Sequence, residues 1–258
     1  MAYNLLKGKR GIIFGALNEQ SIAWKVAERA HEEGATFVLT NAPIAMRMGE
    51  INKLAEATGS TVIPADATSV EDIDNLITQS MEILGGKIDF VLHSIGMSIN
   101  VRKGRHYTDE NYDFTMKGLD VSALSFHKVM QVLYQKDAMN KWGSIVALTY
   151  MAAQRVFPDY NDMADNKSFL ESIARSFGYH FGKRNNVPSF EKPINKTKNL
   201  LILLNKDSTK GTLVIRIAKV NCKKIPERTN LQLIFLLSDE NKYAIIIMNI
   251  NKIKSEYI

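Results

Sequence analysis

Residues 11–40 read G-I-I-F-G-A-L-N-E-Q-S-I-A-W-K-V-A-E-R-A-H-E-E-G-A-T-F-V-L-T, and this stretch decides the fold. An apolar run ends at Gly15, apolar residues recur at helical spacing from Ile22, and a second apolar run begins at Thr36. This order predicts a parallel βαβ unit whose first turn can hold a pyrophosphate at a helix N-terminus, with Ser21 capping the helix. Because the usual G-x-G-x-x-G is absent, a generic strand–helix junction explains the turn equally well.

The alternation of strand and helix continues along the chain. It predicts further helices over residues 45–58, 70–84 and 112–139, and further strands over residues 61–65, 88–93 and 144–149. This rhythm is typical of an α/β fold, a Rossmann-like doubly wound parallel sheet with helices on both faces. In such a sheet Asp66 can accept a hydrogen bond near an adenine, although a turn cap is an equally good interpretation. Gly96 lies where the backbone has to approach a cofactor closely.

The charge of the chain is unevenly distributed. Residues 1–182 hold 18 Lys+Arg and 21 Asp+Glu, whereas residues 183–258 hold 15 and 6. The net charge of +6 therefore comes from the last third and does not indicate a nucleic-acid partner for the whole protein. The single cysteine, Cys222, favours a reducing compartment, and no apolar stretch reaches the roughly 20 residues of a membrane span. Without a signal peptide, we expect a cytoplasmic protein with no membrane, metal or nucleic-acid partner.

Residues 150–167 read Y-M-A-A-Q-R-V-F-P-D-Y-N-D-M-A-D-N-K and form the candidate reactive segment. Tyr160 and Lys167 are seven residues apart, so a helix would place both side chains on one face. Tyr150 follows the strand predicted near residue 148, at the edge where open α/β sheets have their ligand crevices. Two phenols and an ammonium there can protonate or polarise a carbonyl group. On spacing alone, the alternative is that the tyrosines are half-buried packing residues and the lysine is solvated.

Several short motifs occur in a fixed order. They are Gly15-x5-Ser21-Ile22-Ala23, then Asp66, then His93-Ser94-Ile95-Gly96, then Tyr150-x9-Tyr160-x6-Lys167. This series resembles the bacterial NADH-dependent enoyl-[acyl-carrier-protein] reductase branch of the short-chain dehydrogenase/reductase superfamily. The larger superfamily usually has its lysine four residues after the tyrosine, where this chain has Ala164. The wider spacing, the upstream tyrosine and the H-S-I-G segment mark the enoyl reductase branch over about residues 5–182.

The resemblance implies a role for each matched side chain. Tyr160 would donate to the thioester carbonyl of a trans-2-enoyl group, Tyr150 would line the substrate site and assist protonation, and Lys167 would bind the nicotinamide ribose. A positioned donor would then stabilise the developing enolate charge, and the Lys167 cation is expected to favour phenolate character in Tyr160. The matched cofactor-contacting positions are Gly15, Ser21, Ile22, Asp66, Ala67, Ile95 and Lys167. Ser98 matches a position beside the substrate.

NADH is the expected cofactor, with NADPH as the alternative. The second strand ends in T-N-A-P at residues 40–43, without the acidic residue that binds a ribose 2′-hydroxyl, and the nearest arginine is Arg47. The resemblance implies an acyl carrier protein bearing an enoyl chain as partner, and a homotetramer. Arg102, Lys103 and Arg105 form a basic loop that either meets the acidic carrier protein or is merely solvated.

The resemblance ends after residue 182. We therefore predict a dinucleotide-binding catalytic domain over residues 1–182 and an atypical segment, rich in Lys, Asn and Ile, over residues 183–258. This segment is interpreted as a shifted reading frame or gene fusion, as strongly diverged family elements, or as an added module with strands at residues 212–217 and 244–248. Two alternatives to an active enoyl reductase follow. They are a catalytically impaired dinucleotide-binding remnant, and another short-chain reductase that acts on a ketone or alcohol.

Overall fold

The computed structural model describes residues 3–46 and 50–184, together with the backbone of four later strands. The first five strands are β1 (Arg10–Phe14), β2 (Thr36–Thr40), β3 (Thr61–Val62), β4 (Ile88–His93) and β5 (Met139–Tyr150). The later strands are β6 (Leu201–Asp207), β7 (Thr212–Ile217), β8 (Leu233–Leu237) and β9 (Ala244–Met248).

Eight α-helices occur in the described part of the chain. They are α1 (Ile22–Glu32), α2 (Pro43–Met46), α3 (Ile51–Thr58), α4 (Val70–Ile83), α5 (Ile99–Arg102), α6 (Tyr112–Leu119), α7 (Ser125–Gln135) and α8 (Asn161–Arg184). Short 3-10 turns occur at Tyr107–Asp109 and Met151–Ala153, and a π-helical turn at Asp120–Leu124 joins α6 to α7. Each helix among those described is too short or too polar to cross a membrane.

The main sheet has the strand order β3-β2-β1-β4-β5-β6-β7. Neighbouring strands from β3 to β6 are parallel, and β7 pairs antiparallel with β6. The predicted Rossmann-like doubly wound parallel sheet is thereby confirmed for β1–β5. The chain reverses its winding direction between β1 and β4, and the carboxyl ends of these two strands therefore open into the crevice of the fold.

Helices cover both faces of this sheet. Alternate residues of β1 point to opposite faces, so Ile12 and Phe14 enter one apolar cluster and Ile13 enters the other. The first cluster contains buried residues of α4, α7 and α8, and the second contains buried residues of α1 and α3. Each fully buried Ile, Leu or Phe contributes about 1.5–3 kcal/mol relative to exposure, so the two clusters fix the sheet between its helices.

The third strand is shorter than predicted. Strand β3 contains only Thr61 and Val62 of the predicted residues 61–65, because Pro64 has no N–H to donate to the ladder. Individual hydrogen bonds nevertheless continue the pairing with β2. Ile63 N–H donates to Leu39 O at 3.0 Å, and Ala65 N–H donates to Asn41 O at 3.1 Å.

Two predicted helices are interrupted. The helix predicted over residues 45–58 is replaced by α2 and α3, with residues 47–49 outside the described ranges. The helix predicted over residues 112–139 is replaced by α6, the π-helical turn and α7, and β5 already begins at Met139. Within the π-helical turn, the Ser122 hydroxyl accepts from Met97 N–H and donates to Met97 O, both at 2.8 Å. The turn therefore coincides with a contact to the loop after β4.

The later strands extend the sheet beyond β5. Strand β6 pairs with β5 from Ile145↔Leu201 to Tyr150↔Lys206. The strands predicted over residues 212–217 and 244–248 coincide with β7 and β9, and β9 pairs with β8 in a separate sheet. Helix α8 runs to Arg184, so the predicted boundary at residue 182 falls within it, and the division into two units stays a prediction. Cys222 lies outside the described residues.

The turn after β1 requires glycine. Gly15 has φ +89°, and a Cβ there would lie 2.1 Å from the carbonyl oxygen of Ser94. Gly59, the C-cap of α3, has φ +62°, but an added Cβ would meet nothing within 4 Å. We expect Gly59→Ala to cost about 1 kcal/mol through backbone strain. Gly15→Ala has to displace a strand end as well and should cost clearly more.

Urea unfolding of the Gly15→Ala and Gly59→Ala variants measures this difference. Equal losses of unfolding free energy would show that the approach of Ser94 to Gly15 does not constrain the turn.

Candidate active site

Lys167 joins α8 to the carboxyl ends of β4 and β5. Its ammonium Nζ donates to the carbonyl oxygens of Ile95 at 3.1 Å and Leu148 at 2.9 Å. The residue is 6% exposed, and burial lowers the pKa of Lys167 to about 8. An ammonium has three N–H bonds, so these two carbonyls leave one for a ligand. A Cβ on Gly96 would lie 3.4 Å from Nζ, which shows how closely the backbone after β4 approaches the lysine.

Two phenols stand together beside this lysine-bearing helix. Tyr150 is the last residue of β5, Tyr160 immediately precedes α8, and their ring centroids are 4.6 Å apart. Phe157 packs edge-on against Tyr150 with a centroid distance of 5.4 Å. Asp159 and Asn161 flank Tyr160 with φ of +64° and +43°, a left-handed conformation that Asp and Asn adopt more readily than most residues. The backbone on both sides of Tyr160 therefore fixes its direction.

The expectation of phenolate character in Tyr160 is wrong. Burial, and then the neighbouring Tyr150, raise the pKa of Tyr160 to about 12. Burial disfavours the charged form of a phenol, and the Lys167 ammonium is hydrogen-bonded to backbone carbonyls. At neutral pH Tyr160 is therefore a proton donor.

Ser21 does not cap α1 as predicted. Its Oγ accepts from Leu17 N–H at 3.2 Å and donates to the Asn18 carbonyl at 2.7 Å, which closes the loop before the helix. Because the Ser21 hydroxyl makes its hydrogen bonds within this loop, the first-turn N–H groups of α1 have no side-chain cap. Such groups attract anions, and Ile22 is the first residue of the helix that presents them. The turn from Gly15 to Ile22 therefore fits a pyrophosphate.

Asp66 and Ala67 lie on the other side of β1 from Lys167, because β3 is at the opposite side of the strand order from β5. Asp66 is exposed, and its Oδ1 accepts from the N–H of Thr68 at 2.8 Å and from its hydroxyl at 2.7 Å. These bonds are the turn cap of the alternative interpretation. Contact of Asp66 with an adenine stays a prediction. Ala67 is buried.

Ser98 is the last residue of the loop after β4, and it is buried. Its Oγ donates to Asp162 Oδ1 at 2.6 Å and accepts from Val101 N–H at 3.0 Å, which caps α5. The hydroxyl is therefore bonded to protein as donor and as acceptor. Contact of Ser98 with the substrate stays a prediction.

Two buried carboxylates of α8 were missed by the sequence reasoning. Asp162 is 0% exposed and binds Ser98, while Glu171 is 5% exposed and accepts from the Thr149 hydroxyl at 3.0 Å and from Gln154 Nε2 at 2.8 Å. Acidic residues on a helix are usually solvated, so nothing marked these two as internal. The one exception is the spacing of Glu171, which lies one turn after Lys167 on the same face; Asp162 lies five residues before Lys167 and has no such relation.

The basic loop has internal partners. The Lys103 ammonium lies 4.9 Å from the centroid of the Phe114 ring, and Arg105 pairs with Asp109 at 3.5 Å. Within residues 3–46 and 50–184, no group of three or more His, Cys, Asp or Glu is arranged to hold a metal ion.

A protein-family model described as Enoyl-(Acyl carrier protein) reductase matches residues 15–187. The chain belongs to this family. The resemblance drawn from the ordered motifs is confirmed, and so is its absence from the C-terminal third.

Named relatives of this reductase family support the assignment. Enoyl-(acyl-carrier-protein) reductase (NADH) 1 of Rhizobium meliloti is 35% identical over 184 residues, which are 71% of this chain and 66% of that protein. The FabI enoyl-(acyl-carrier-protein) reductase (NADH) of Rickettsia bellii is 35% identical over 187 residues, which are 72% of this chain and 70% of that protein. The chain thus spans about two thirds of the length of these curated relatives.

Solved structures of FabI share the fold. FabI from Alistipes finegoldii is 67% identical with a TM-score of 0.70, covering 71% of this chain and 70% of that chain. The FabI-NADH complex from the same organism has the same identity and TM-score, covering 71% of this chain and 65% of that chain.

His93, in the H-S-I-G segment, is buried and neutral. Its Nε2 lies 3.0 Å from Ser125 Oγ, and that hydroxyl donates to Val121 O at 2.6 Å. Since the serine hydrogen is already used, Nε2 must carry the proton and donate it. Burial, and then the charge of Lys167, lower the pKa of His93 to about 3.

We predict that His93 makes the stability fall with acidification. Its pKa is about 3 in the fold and 6.5 ordinarily, so the unfolded chain takes up an extra proton between these values. His93→Gln keeps an N–H for Ser125 and cannot be protonated. Below pH 6.5 the unfolding free energy of the parent chain should fall more steeply than that of the variant, by up to about 1.4 kcal/mol per pH unit.

Urea unfolding at a series of pH values measures both slopes. The two curves should run parallel above about pH 7. Parallel curves at all pH values would contradict the buried, neutral state of His93.

Proposed function

We propose that the chain catalyses the NADH-dependent reduction of the trans-2 double bond of enoyl thioesters in type II fatty-acid biosynthesis. The observation that carries this proposal is the ring contact of Tyr150 and Tyr160 at the start of α8, the helix whose buried Lys167 is hydrogen-bonded to two strand ends. Membership of the Enoyl-(Acyl carrier protein) reductase family and relatives named as NADH enzymes support it.

The reaction requires a proton donor at the thioester oxygen. NADH, when bound, supplies the hydride that reduces the β-carbon of the enoyl group. Tyr160, with a pKa of about 12, keeps its proton at neutral pH and donates it in a hydrogen bond to the oxygen where enolate charge develops. Tyr150 lies beside it, lines the substrate site and assists protonation.

The cofactor residues fit a dinucleotide along the carboxyl edge of the sheet. The uncapped amides at Ile22 suit a pyrophosphate, and Gly15 and Ile95 follow β1 and β4. The third N–H of Lys167 would bind a ribose hydroxyl. Residues 40–46 carry no basic side chain, which supports NADH over NADPH. Arg47 lies outside the described residues.

The proposed partners are an enoyl-bearing acyl carrier protein and further copies of this chain. Arg102 is exposed at the edge of the loop beside Ser98, where an acidic carrier protein can approach. Tyr112 and Met116 are 82% and 62% exposed one turn apart on α6, and such an apolar patch supports assembly into a homotetramer. The use of NADH as reductant and the single cysteine support a cytoplasmic location.

A dinucleotide-binding protein without turnover is the second candidate. The family match ends at residue 187, so it covers the predicted dinucleotide-binding segments and ends near the start of the atypical segment. Another short-chain reductase is less well supported, because Ala164 occupies the position of the usual superfamily lysine.

We expect Tyr160→Phe to lower kcat for a crotonyl thioester about 100-fold or more, because it removes the donor to the developing enolate. NADH binding should change little. The loss of NADH absorbance measures turnover, and NADH fluorescence measures binding. Tyr3→Phe is the control, since Tyr3 is 68% exposed before β1.

Full activity of Tyr160→Phe would contradict the role of the phenol. Binding of NADH without any turnover by the parent chain would select the second candidate.

We predict that NADH affinity weakens as the pH rises through about 8, the pKa of Lys167. A neutral amine has only two N–H bonds, and the carbonyls of Ile95 and Leu148 use both. Lys167→Met has no N–H at any pH, so its affinity should be lower and lack this step. Fluorescence titrations with NADH across this pH range measure both dissociation constants. The same affinity of the parent chain on both sides of pH 8 would contradict the assignment of the third N–H to the cofactor.

A further inference from the structure

A buried hydrogen bond joins the loop after β4 to the first turn of α8. Ser98 Oγ donates to Asp162 Oδ1 at 2.6 Å, and the two residues are 4% and 0% exposed. Hydrogen bonds from a hydroxyl to a carboxylate are short and strong, and burial shields this one from competing water. The contact therefore fixes Ser98 relative to the helix that carries Lys167.

Asp162 also binds two other parts of the chain. Its Oδ2 accepts from Asn100 Nδ2 at 3.4 Å, and its N–H donates to Glu110 Oε1 at 2.7 Å. Glu110 accepts in addition from the Thr115 hydroxyl at 3.0 Å, which connects the contact to α6. The Asp162 carboxylate thus ties Ser98 and α5 to α8, and the Asp162 backbone N–H ties Glu110, which precedes α6, to the same helix turn.

Helix α6 packs tightly against this carboxylate. A Cβ added to Gly118 would lie 3.2 Å from Asp162 Oδ2 and 3.2 Å from Asn166 Nδ2. Ordinary van der Waals contacts of a Cβ are longer than this, so the glycine allows the approach of the two helices. The Asp162 side chain has little room to turn away from Ser98.

The loop after β4 is held to α8 at two points. Ile95 O accepts from Lys167 Nζ, and Ser98 Oγ donates to Asp162. On the helix, Asp162 and Lys167 are five residues apart, which is somewhat more than one turn. In the loop, Ile95 and Ser98 are three residues apart. Both ends of this short segment are therefore fixed on the helix that begins next to Tyr160.

We propose that Ser98 and Asp162 are a positioning pair for the enoyl reduction. Ser98 acts through Asp162, by holding residues 95–98 against α8, and its hydroxyl does not touch the substrate. The single hydroxyl hydrogen goes to Asp162, and the oxygen accepts from Val101 N–H. This inference rests on the proposed function, and it replaces the substrate contact of Ser98 that the resemblance implied.

A second contact, between the loop that joins α5 to α6 and helix α8, offers a matched control. Tyr107 OH donates to Asp165 Oδ2 at 3.1 Å, but both residues are exposed. Exposed contacts of this kind contribute little, so the double variant Tyr107→Phe with Asp165→Asn should keep its kcat within about twofold.

A double-mutant cycle tests the proposal. We expect Ser98→Ala and Asp162→Ala each to lower kcat about tenfold or more, because each removes the same buried charge-assisted bond. The kcat of the double variant should be no lower than that of the less active single variant. Ser98→Thr keeps the hydroxyl and should restore kcat. The KM for NADH should stay within about twofold in Ser98→Ala, because Ile95 keeps its separate hydrogen bond from Lys167 Nζ.

Losses that multiply in the double variant would show that Ser98 acts independently of Asp162 and would overturn the proposal. An unchanged kcat in Ser98→Ala would overturn it as well.

Amide hydrogen exchange without substrate separates this inference from the proposed function and does not require an Asp162 variant to fold. In Ser98→Ala, the amides of Val101 and of the first turn of α8 should exchange about tenfold faster or more, while those of β1 stay unchanged. This holds even if the parent chain has no turnover, in which case only the proposed function fails. Unchanged exchange at both places would overturn the positioning pair.

Discussion

The hydrogen bonds of the buried Lys167 ammonium are the interaction on which the site depends. They join the carbonyls of Ile95 and Leu148, so the ends of β4 and β5 have to lie side by side under α8. A buried charge without partners is strongly unfavourable. The packing of α8 on the sheet therefore depends on β4 and β5 being neighbours, because together they provide both carbonyls. Lys167 thus links α8 to two strand ends, and its third N–H remains for a ligand.

Helix α8 extends this principle along its length. Its apolar residues Leu170 and Ile173 enter the core, while Asp162, Lys167 and Glu171 make buried polar contacts to the loop after β4 and to the end of β5. The site therefore rests on a helix and two strand ends rather than on free loops. Groups held in this way keep their geometry when a ligand arrives, which is what stabilisation of a developing charge requires.

Much of the fold could be predicted from local patterns. Apolar runs located the central strands, because side-chain periodicity is a local property. Tyr160 precedes α8, so helical spacing does not determine its position relative to Lys167. The function of Ser21 could not be predicted, because a serine suits a helix cap and a loop closure equally. The raised pKa of Tyr160 depends on burial by residues distant in sequence. The same is true of Asp162, whose partners lie some sixty residues earlier in the chain.

We propose that this chain, with its atypical C-terminal third, catalyses hydride transfer from NADH to the β-carbon of an enoyl thioester and protonates the resulting enolate. Mass spectrometry of the product formed with NADH deuterated at the transferred position follows this hydride. The product should be a saturated thioester with one deuterium on the β-carbon. Enoyl thioester recovered unreduced from a folded sample that binds NADH would rule out the proposed reaction.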